Sequence, residues 1–464
     1  MRKFDKDKYL RKLRFKKYKR YLYIGIPCLL VLLIGIYFAY SKFSVSKDTE
    51  VVRTTVGEFI FGDIVITPYI DGEYSKEFPK EEPGINVEKV LCDNDAVGKW
   101  DEDNWQLKVT NLTKRTKCNV YFVTPKSCGI NDNVKCISNR EEFATLANEV
   151  NNGDNKSGKI YYLTSDIDLG GKFDNSGNAL DGNISWTPIG TMEANPFSGI
   201  FDGNGHIISN MYVNTTERAA LFVFTKYATI KNMGIKDSYI KSTSQQASSL
   251  VNRPVNSYLV NLYNSASING NTSSAGIASE IIDSVLKNCY NVGTVNSNGN
   301  QFAAGIVGYV SNSISLVKNC YNLGSIVGGS ESGGVVGGLQ GRVECSYNLG
   351  DISGRNLGGV VGQYYTPSSP QVYNTYNLTK MSNGGGIIGI VYTEYDSNLI
   401  KNNYFLEGTA TYGLYNASSN TGTGTLSKDK MPSVISVING DNAFVEDINN
   451  INNGYPILKW QANR

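Results

Sequence analysis

The sequence is poor in the side chains that most metal and redox sites require. Its 464 residues contain a single histidine, His206, which excludes an H-E-x-x-H zinc motif and any cluster of histidine ligands. The eight cysteines include no C-x-x-C pair, so the usual zinc and dithiol motifs are absent as well. Charged residues make up only 19% of the chain, which leaves few groups for acid–base chemistry.

The small net charge of +2 is unevenly distributed. The first 20 residues carry a net charge of +9, and the remaining 444 residues therefore carry −7. A mildly acidic body repels phosphate groups, so we do not expect a nucleic-acid partner.

The basic residues 1–20 are followed by an uncharged run over residues 21–40. About 20 apolar residues span a bilayer, tyrosines favour its interfaces, and flanking Lys and Arg stay in the cytoplasm. We therefore expect a cytoplasmic tail over residues 1–20 and a single transmembrane helix over residues 21–41, with Cys28 inside the membrane. The bulk of the chain would be extracellular and held at the plasma membrane. A cleaved signal peptide is the alternative.

A linker, residues 42–55, and a small β domain, residues 56–125, follow the predicted membrane helix. Apolar and polar residues alternate in this domain, as they do in half-buried strands. Trp100 and Trp105 are expected to pack its core. The domain has the size of a spacer that separates the rest of the chain from the membrane.

Seven cysteines follow the predicted membrane helix, an odd number that leaves at least one of them unpaired or bonded to another chain. An oxidising compartment favours disulfides, and we expect one between Cys92 and Cys118 and one between Cys128 and Cys136. The first closes a loop of about 27 residues and would stabilise the small domain by about 3 kcal/mol.

Residues 126–155 are predicted to hold a connector and one amphipathic helix. Ser138 and Glu141 have the spacing of a capping box, and Gly153 would end the helix. Such a helix can cover the open end of a stack of strands. Its apolar stripe is Phe143, Leu146, Ala147 and Val150.

Residues 156–420 repeat with a period of about 28 residues, which is typical of a solenoid. One set of repeated positions is tyrosine: Tyr263, Tyr290, Tyr321, Tyr347, Tyr376 and Tyr404. A second set is glycine: Gly276, Gly305, Gly334, Gly359, Gly386 and Gly413.

The repeat predicts a mainly β protein, a right-handed parallel β-helix with three short strands in each coil. No 3.6-residue periodicity occurs within the units, and about 28 residues is too short for a propeller blade. Equivalent residues of successive coils would stack about 4.8 Å apart, with Gly and Asn at positive-φ corners. Residues 421–464 break the period and are predicted to be a C-terminal cap, with a short helix over Ser433–Ile438 and a final strand.

Several segments resemble the GLUG-motif repeats of bacterial surface proteins. They are "AAGIVGYV", "GGVVGGL", "GGVVGQ", "NCYNLG" and "WTPIG…PFSGIFDGNGHIISNMYV", within residues 137–464, roughly 70% of the chain. The resemblance implies a bacterial, Firmicutes-like, extracellular β-helix stalk or adhesin-type module without a defined activity. Some members of that group carry a zinc peptidase domain beside the repeats, which the single histidine excludes here.

An enzyme is the alternative, because β-helices include proteins that cleave polysaccharides. Paired carboxylates could serve a glycosidase or lyase, or could hold a structural Ca²⁺. Beside Gly and Asn they could equally be turn residues, and no two of them are expected to share a repeat register. His206 could be a base for a serine nucleophile, and a turn or packing residue is the simpler interpretation. The carboxylates are Asp166, Asp168, Asp202, Asp237 and Glu344.

Three cysteines lie within the repeats. Cys289 and Cys320 occupy the same repeat position and would stack one coil apart, either as a disulfide or as two buried thiols. Cys345 is one position out of phase with its tyrosine and would point to the opposite side.

The predicted function is binding or adhesion by a membrane-anchored, extracellular solenoid, with surface glycans or host or matrix proteins as ligands. The tyrosine columns could be stacking surfaces for such ligands, or could simply cover the sheets. A polysaccharide lyase or glycoside hydrolase is the first alternative, and a structural spacer without a ligand is the second. The sequence assigns no catalytic residue, cofactor or metal ligand.

Overall fold

A computed structural model of the protein describes residues 45–46, 52–53, 60–61, 63–66, 74–77, 87–92, 96–101, 106–110, 116–122, 134–299, 301–365, 368–391, 395–417 and 419–462. The predicted tail and transmembrane helix, Cys28, Trp105, Cys128 and the side chain of Trp100 lie outside the described residues. Within the described ranges, no helix is long and apolar enough to cross a membrane.

The small domain consists of short antiparallel strands, as the alternating pattern predicted. Leu107 and Val109 are buried and Lys108 between them is exposed. Cys92 and Cys118 face each other across two paired strands and form the predicted disulfide. One sheet contains Val45–Ser46, Asp63–Ile66, Thr116–Phe122 and Val87–Cys92, and a second contains Tyr74–Glu77, Gln106–Thr110 and Val97–Asp101. Further strands lie at Val52–Arg53 and Ile60–Phe61.

The repeats form a parallel β-solenoid of about ten turns of about 28 residues, which confirms the predicted fold class. Three parallel sheets run along it. Sheet 1 contains Val134–Ile137, Ile160–Leu163, Ile167–Asp168, Ile200–Asp202, Ile207–Ser209, Thr229–Lys236, Tyr258–Asn264, Val285–Lys287, Tyr290–Asn291, Leu316–Lys318, Tyr321–Asn322, Arg342–Glu344, Tyr347–Asn348, Gln371–Asn377, Ile400–Leu406 and Thr423–Leu426.

Sheet 2 contains Tyr212–Thr215, Tyr239–Ser242, Ser267–Gly270, Val295–Ser297, Ile326–Gly328 and Ile352–Ser353. Sheet 3 contains Phe222–Lys226, Ala247–Ser248, Val251–Val255, Ser274–Ala275, Ala278–Ile282, Phe302–Ala304, Val307–Ser311, Glu331–Gly333, Val336–Leu339, Leu357–Gly358, Val361–Tyr364, Gly384–Val391 and Tyr412–Leu414. Most coils of the solenoid contribute two short strands to sheet 3, and a bend separates the two.

Aliphatic side chains stack inside the solenoid because each strand pairs in register with its equivalent one turn further on. Each such side chain contributes about 1.5–3 kcal/mol when buried. The column of sheet 1 is Ile230, Leu259, Leu286, Val317, Val343, Val372 and Ile400, all of them fully buried. The column of sheet 3 is Val251, Ala278, Val307, Val336, Val361 and Ile388, also fully buried.

Helix α1, Arg140–Asn151, packs the predicted apolar stripe into the first turns of the solenoid. Its Phe143 ring lies 5.0 Å from that of Trp186. The predicted capping box is displaced by one residue. Asn139 is the N-cap and accepts from the Glu142 N–H, while Glu142, rather than Glu141, accepts from the backbone N–H of Ser138. Asn139 directly precedes the first helical residue, so its side-chain oxygen meets the N–H of the third helical residue, Glu142.

The repeated glycines do not make the positive-φ corners, contrary to the sequence-based expectation. None of the six has a positive φ. One corner of sheet 1 is made by asparagine, a residue that tolerates the left-handed region through local hydrogen bonds. Its members have φ between 55° and 57°: Asn232, Asn261, Asn288, Asn319, Asn374 and Asn402.

Residues 421–464 were predicted to be a C-terminal cap; Thr423–Leu426 is the last strand of sheet 1, and the C-terminal segment, residues 427–462, follows it. It contains 3₁₀ turns at Met431–Val434 and Gly440–Asn442, a short helix at Ile435–Ile438, and antiparallel strands Phe444–Val445 and Ile457–Leu458. The segment lies along the outer side of sheet 1, where it shares a hydrophobic cluster with the repeated tyrosines. An uncovered tyrosine column would expose a large apolar stripe to water, and the C-terminal segment removes part of that stripe from solvent.

Candidate functional site

The repeated tyrosines form one column on the outer side of sheet 1. Each is the register partner of the next, from Tyr263 to Tyr404. The rings from Tyr263 to Tyr376 are nearly parallel, with centroids 4.7 to 5.1 Å apart. We call these six side chains the tyrosine ladder.

The C-terminal segment covers the centre of the tyrosine ladder. The Tyr347 hydroxyl donates to Gln461 Oε1 at 2.7 Å, and the Tyr376 hydroxyl donates to the Pro456 carbonyl oxygen. Trp460 lies against the ladder further along and donates to the Asn319 carbonyl oxygen at 3.0 Å. Tyr347 and Tyr376 are fully buried, and burial raises the pKa of both phenols well above its ordinary value. This part of the ladder is a core between two layers of the protein, and it does not face a ligand.

The repeated glycines interlock with a second ladder inside the solenoid. Its members are the fully buried Asn264, Asn291, Asn322, Asn348 and Asn377, each of which donates to the next at 2.8 to 3.0 Å. A Cβ at Gly305 would lie 2.3 Å from Asn322 Cγ, and one at Gly334 would lie 2.3 Å from Asn348 Cγ. The glycines are therefore needed for close approach. Gly276 and Gly359 meet the same ladder, Gly386 meets Phe405, and Gly413 meets Thr423.

Three of the candidate catalytic groups serve a turn near the start of the solenoid. Asp166 Oδ1 accepts from the Ile207 N–H at 2.9 Å and lies 3.2 Å from Nδ1 of His206. The Ile207 N–H, followed by His206, lowers the pKa of Asp166. Asp168 accepts from the Gly170 N–H at 2.8 Å, which is a local turn bond. The two Asp166 contacts join neighbouring loops, the Asp168 contact stays within its own turn, and none of the three orients a serine.

Asp202 and Glu344 do share a register, contrary to the sequence-based expectation, because the column continues through Lys231, Val260, Lys287 and Lys318. They are five coils apart, about 24 Å, which is too far for a catalytic pair. Asp202 accepts from the Asn204 N–H and from Asn232. Glu344 lies 3.0 Å from Lys318 Nζ.

Asp237, the remaining candidate carboxylate, is an exposed corner residue with a φ of 47° and a Lys236 amine 3.9 Å away. The part of the chain that the structure describes contains no group of three or more His, Cys, Asp or Glu side chains that could hold a metal ion.

The cysteines of the repeats are thiols in two different environments. Cys289 and Cys320 stack in the solenoid core without a disulfide, and the Cys289 N–H donates to Cys320 Sγ at 3.4 Å. Cys345 points the other way, as its phase predicted, and its thiol donates to the Gly440 carbonyl oxygen of the C-terminal segment. Cys136 is disulfide-bonded, and its predicted partner Cys128 lies outside the described residues.

A group of aromatic rings that the repeat pattern does not reveal lies on the outer side of sheet 3. The Phe302 and Tyr309 rings stack at 5.3 Å with 15° between their planes, and Tyr365 meets both edge-on at 6.4 and 5.6 Å. All three side chains are partly exposed. We call Phe302, Tyr309 and Tyr365 the aromatic cluster.

Two glycines of the next coil support the aromatic cluster. A Cβ at Gly337 would lie 2.6 Å from Phe302 Cβ, and one at Gly338 would lie 2.7 Å from Phe302 Cε1 and 2.8 Å from Tyr309 Cδ2. The absence of side chains at both positions lets the rings lie against the backbone. Burial, followed by the nearby Tyr365 and Glu280, raises the pKa of Tyr309 to about 12, so its hydroxyl stays protonated at neutral pH.

Paired charges lie on both sides of the aromatic cluster. Glu280 is the register partner of Tyr309 in the preceding coil, and Arg253 Nε lies 3.2 Å from its Oε2. Glu331 is the register partner of Phe302 in the following coil. Burial raises the pKa of Glu331, while Asn356 and Arg355 act in the opposite direction.

Sequence reasoning missed the aromatic cluster because its members do not repeat. The register column of Tyr309 contains Glu280, Gly338 and Gln363, and that of Phe302 contains Glu331. A signal was present in the sequence: a large aromatic residue stands one coil before a Gly-Gly pair at the same repeat position.

No protein-family model and no curated protein matches the chain. Among solved structures, the chain is similar to a putative immunoglobulin A1 protease from Bacteroides ovatus. The identity is 19% over 70% of this chain and 92% of that chain, with a TM-score of 0.43. This similarity is too weak to assign a shared fold or activity.

Proposed function

We propose that the protein is a membrane-anchored, extracellular β-solenoid that binds a surface glycan or a host or matrix protein through the aromatic cluster. The basic tail and the uncharged run of residues 21–40 support the anchor. The Cys92–Cys118 disulfide suits an oxidising compartment. The resemblance of the repeats to GLUG-motif proteins supports a surface role.

The observation that carries the proposal is the partial exposure of three large rings on the outer side of sheet 3, whereas the C-terminal segment covers the centre of the tyrosine ladder. Aromatic rings supply most of the contact energy at many binding surfaces, because they bury much area at little entropic cost. Two glycines place the Phe302 and Tyr309 rings against the backbone, which fixes their orientation before a ligand arrives. The tyrosine ladder offers no comparable surface where the C-terminal segment lies on it.

The test is a binding screen of the full-length protein in detergent against a glycan array and a panel of matrix proteins. Phe302→Ala is expected to lower the affinity for any ligand found in the screen by about tenfold or more, because it removes one aromatic contact that the ligand buries. The matched control is Tyr412→Ala, which removes a tyrosine that is 50% exposed and about four coils away. Equal binding by both variants would contradict the site, and no binding at all would favour the spacer. Release of shortened polysaccharide would favour the lyase or glycosidase alternative.

The anchor has a separate test in the N-terminal sequence of the mature protein from the membrane fraction. We expect it to begin before the uncharged run of residues 21–40, because the apolar run stays in the protein as a helix. A sequence that begins near Lys42 would show that the run is a cleaved signal peptide.

A further inference from the structure

The aromatic cluster lies at the middle of a strip that follows the solenoid axis. On sheet 3, Arg253, Glu280, Tyr309 with its neighbour Phe302, and Glu331 follow one another in successive coils, and all of these side chains are partly exposed. Successive partners are about 4.8 Å apart, so the strip extends over about 15 Å. A surface of this shape suits an extended ligand that runs along the axis.

The charges of the strip are paired with one another. Arg253 lies 3.1 Å from Glu193 and 3.2 Å from Glu280. On the other side of the cluster, Arg355 and Asn356 act on Glu331. Each carboxylate has a cationic or amide neighbour, so most of the charge in the strip is compensated within the protein. An ionic ligand would have to break these pairs, whereas a neutral ligand can bridge them with hydroxyl groups.

The rings and the paired charges together match the two kinds of surface that a sugar presents. One face of a pyranose ring carries mainly C–H groups and packs on an aromatic face, and its hydroxyls donate to and accept from polar groups at the edge. The stacked pair Phe302–Tyr309 supplies the apolar face. The protonated Tyr309 hydroxyl and the carboxylates of Glu280 and Glu331 supply a donor and acceptors on either side.

We infer that the strip binds a neutral, unbranched polysaccharide along the solenoid axis, with one sugar packed on the Phe302–Tyr309 pair. This inference rests on the proposed binding function and narrows its ligand. A peptide segment would also pack on the rings, and the matrix proteins of the binding screen distinguish that ligand from a sugar.

The experiment is calorimetric titration of the full-length protein in detergent with defined hexasaccharides. Cellohexaose, laminarihexaose and maltohexaose are the neutral probes, a hyaluronan hexasaccharide is anionic, and a chitosan hexamer is cationic. We expect at least one neutral probe to bind, with an affinity that changes less than about twofold between about 50 and about 500 mM NaCl. The charged probes should bind more weakly.

Variants locate the site in the same titration. Phe302→Ala should lower the affinity for the neutral probe by about tenfold or more, and Glu280→Gln should lower it by about fivefold. Tyr412→Ala should have no effect. Phe302→Ala removes a packed ring and can therefore also disturb the fold. Tyr365→Phe is a milder variant, because it keeps the ring and removes only a hydroxyl. It should weaken binding by about two- to fivefold.

The outcomes separate this inference from the proposed function. Tighter, salt-sensitive binding of a charged probe would contradict the inference that the ligand is a neutral polysaccharide. Binding of a neutral probe that Phe302→Ala leaves unchanged would contradict it as well. If no hexasaccharide binds while a matrix protein still binds in a Phe302-dependent way, the inference fails and the proposed function stands. If nothing binds in a Phe302-dependent way, both fail.

Discussion

Replacement of Gly334 by alanine is expected to destabilise the solenoid by about 5 kcal/mol. The added Cβ would lie 2.3 Å from Asn348 Cγ and 2.2 Å from the Gly359 carbonyl oxygen. The oxygen belongs to the backbone of the next coil, and the Asn348 amide is held by its own hydrogen bonds, so neither atom can move away cheaply.

The size of this destabilisation follows from the hydrogen bonds that the Asn348 side chain would lose. Its side chain accepts from Asn322 at 2.8 Å and from the Gly350 N–H at 3.1 Å, and it donates to Asn377 and to the Gly350 carbonyl oxygen, each at 3.0 Å. Four hydrogen bonds at about 1 kcal/mol each, together with at least about 1 kcal/mol of overpacking, give an expected cost of about 5 kcal/mol or more.

The assay is urea unfolding of the full-length protein, combined with hydrogen exchange, because a solenoid need not unfold in one step. The control is Gly408→Ala, which has a φ of +79° but nothing within 4 Å of the added Cβ. It should cost only about 1–2 kcal/mol, the strain of a left-handed alanine. If Gly408→Ala destabilises the protein as much as Gly334→Ala, the interlock of glycine and asparagine is not what holds the coils together.

Three further changes test other parts of the structure. Tyr376→Phe removes a hydroxyl that makes two hydrogen bonds to the C-terminal segment, so amides of that segment should exchange about tenfold faster or more. Tyr404→Phe should leave these exchange rates unchanged, because the Tyr404 hydroxyl makes no hydrogen bond among the described residues. Cys345→Asn should add about 1 kcal/mol in urea unfolding, because it suits a φ of 48° and supplies the buried Asn319 Oδ1 with a donor; a loss of stability would contradict this. Tyr309 should titrate near pH 12 in ultraviolet difference spectra against Tyr309→Phe. The pKa of Tyr309 lies above the unfolded value of about 10. Its contribution to stability is therefore present below pH about 10 and is lost between pH about 10 and about 12. A titration step at pH about 10 would contradict the burial of this phenol.

Repetition explains why the solenoid could be predicted from the sequence. Parallel strands in register place the same residue type in every turn, and the spacing of Tyr290 and Tyr321 is the spacing of two paired strands. The disulfide of Cys92 and Cys118 was also predictable, because two cysteines at the ends of alternating strands have few other partners in so small a domain.

The parts that could not be predicted depend on which side of a strand faces outward and on contacts that occur only once. A tyrosine column looks the same in sequence whether it meets a ligand or the chain's own Trp460. Glycine at Gly334 could make a corner or admit a side chain, and only the position of Asn348 decides between them. Phe302 and Tyr309 belong to one coil, so a search for repeats passes over them.

The most direct test of the account is hydroxyl-radical footprinting of the full-length protein, alone and with the neutral hexasaccharide that binds best. Oxidation reports the solvent exposure of each aromatic ring. Phe302 and Tyr365 should be oxidised in the protein alone and protected in the complex, while the buried Tyr347 and Tyr376 should be unreactive in both. Oxidation of Tyr347 and Tyr376 in the protein alone, with protection of these rings by the ligand, would contradict this prediction.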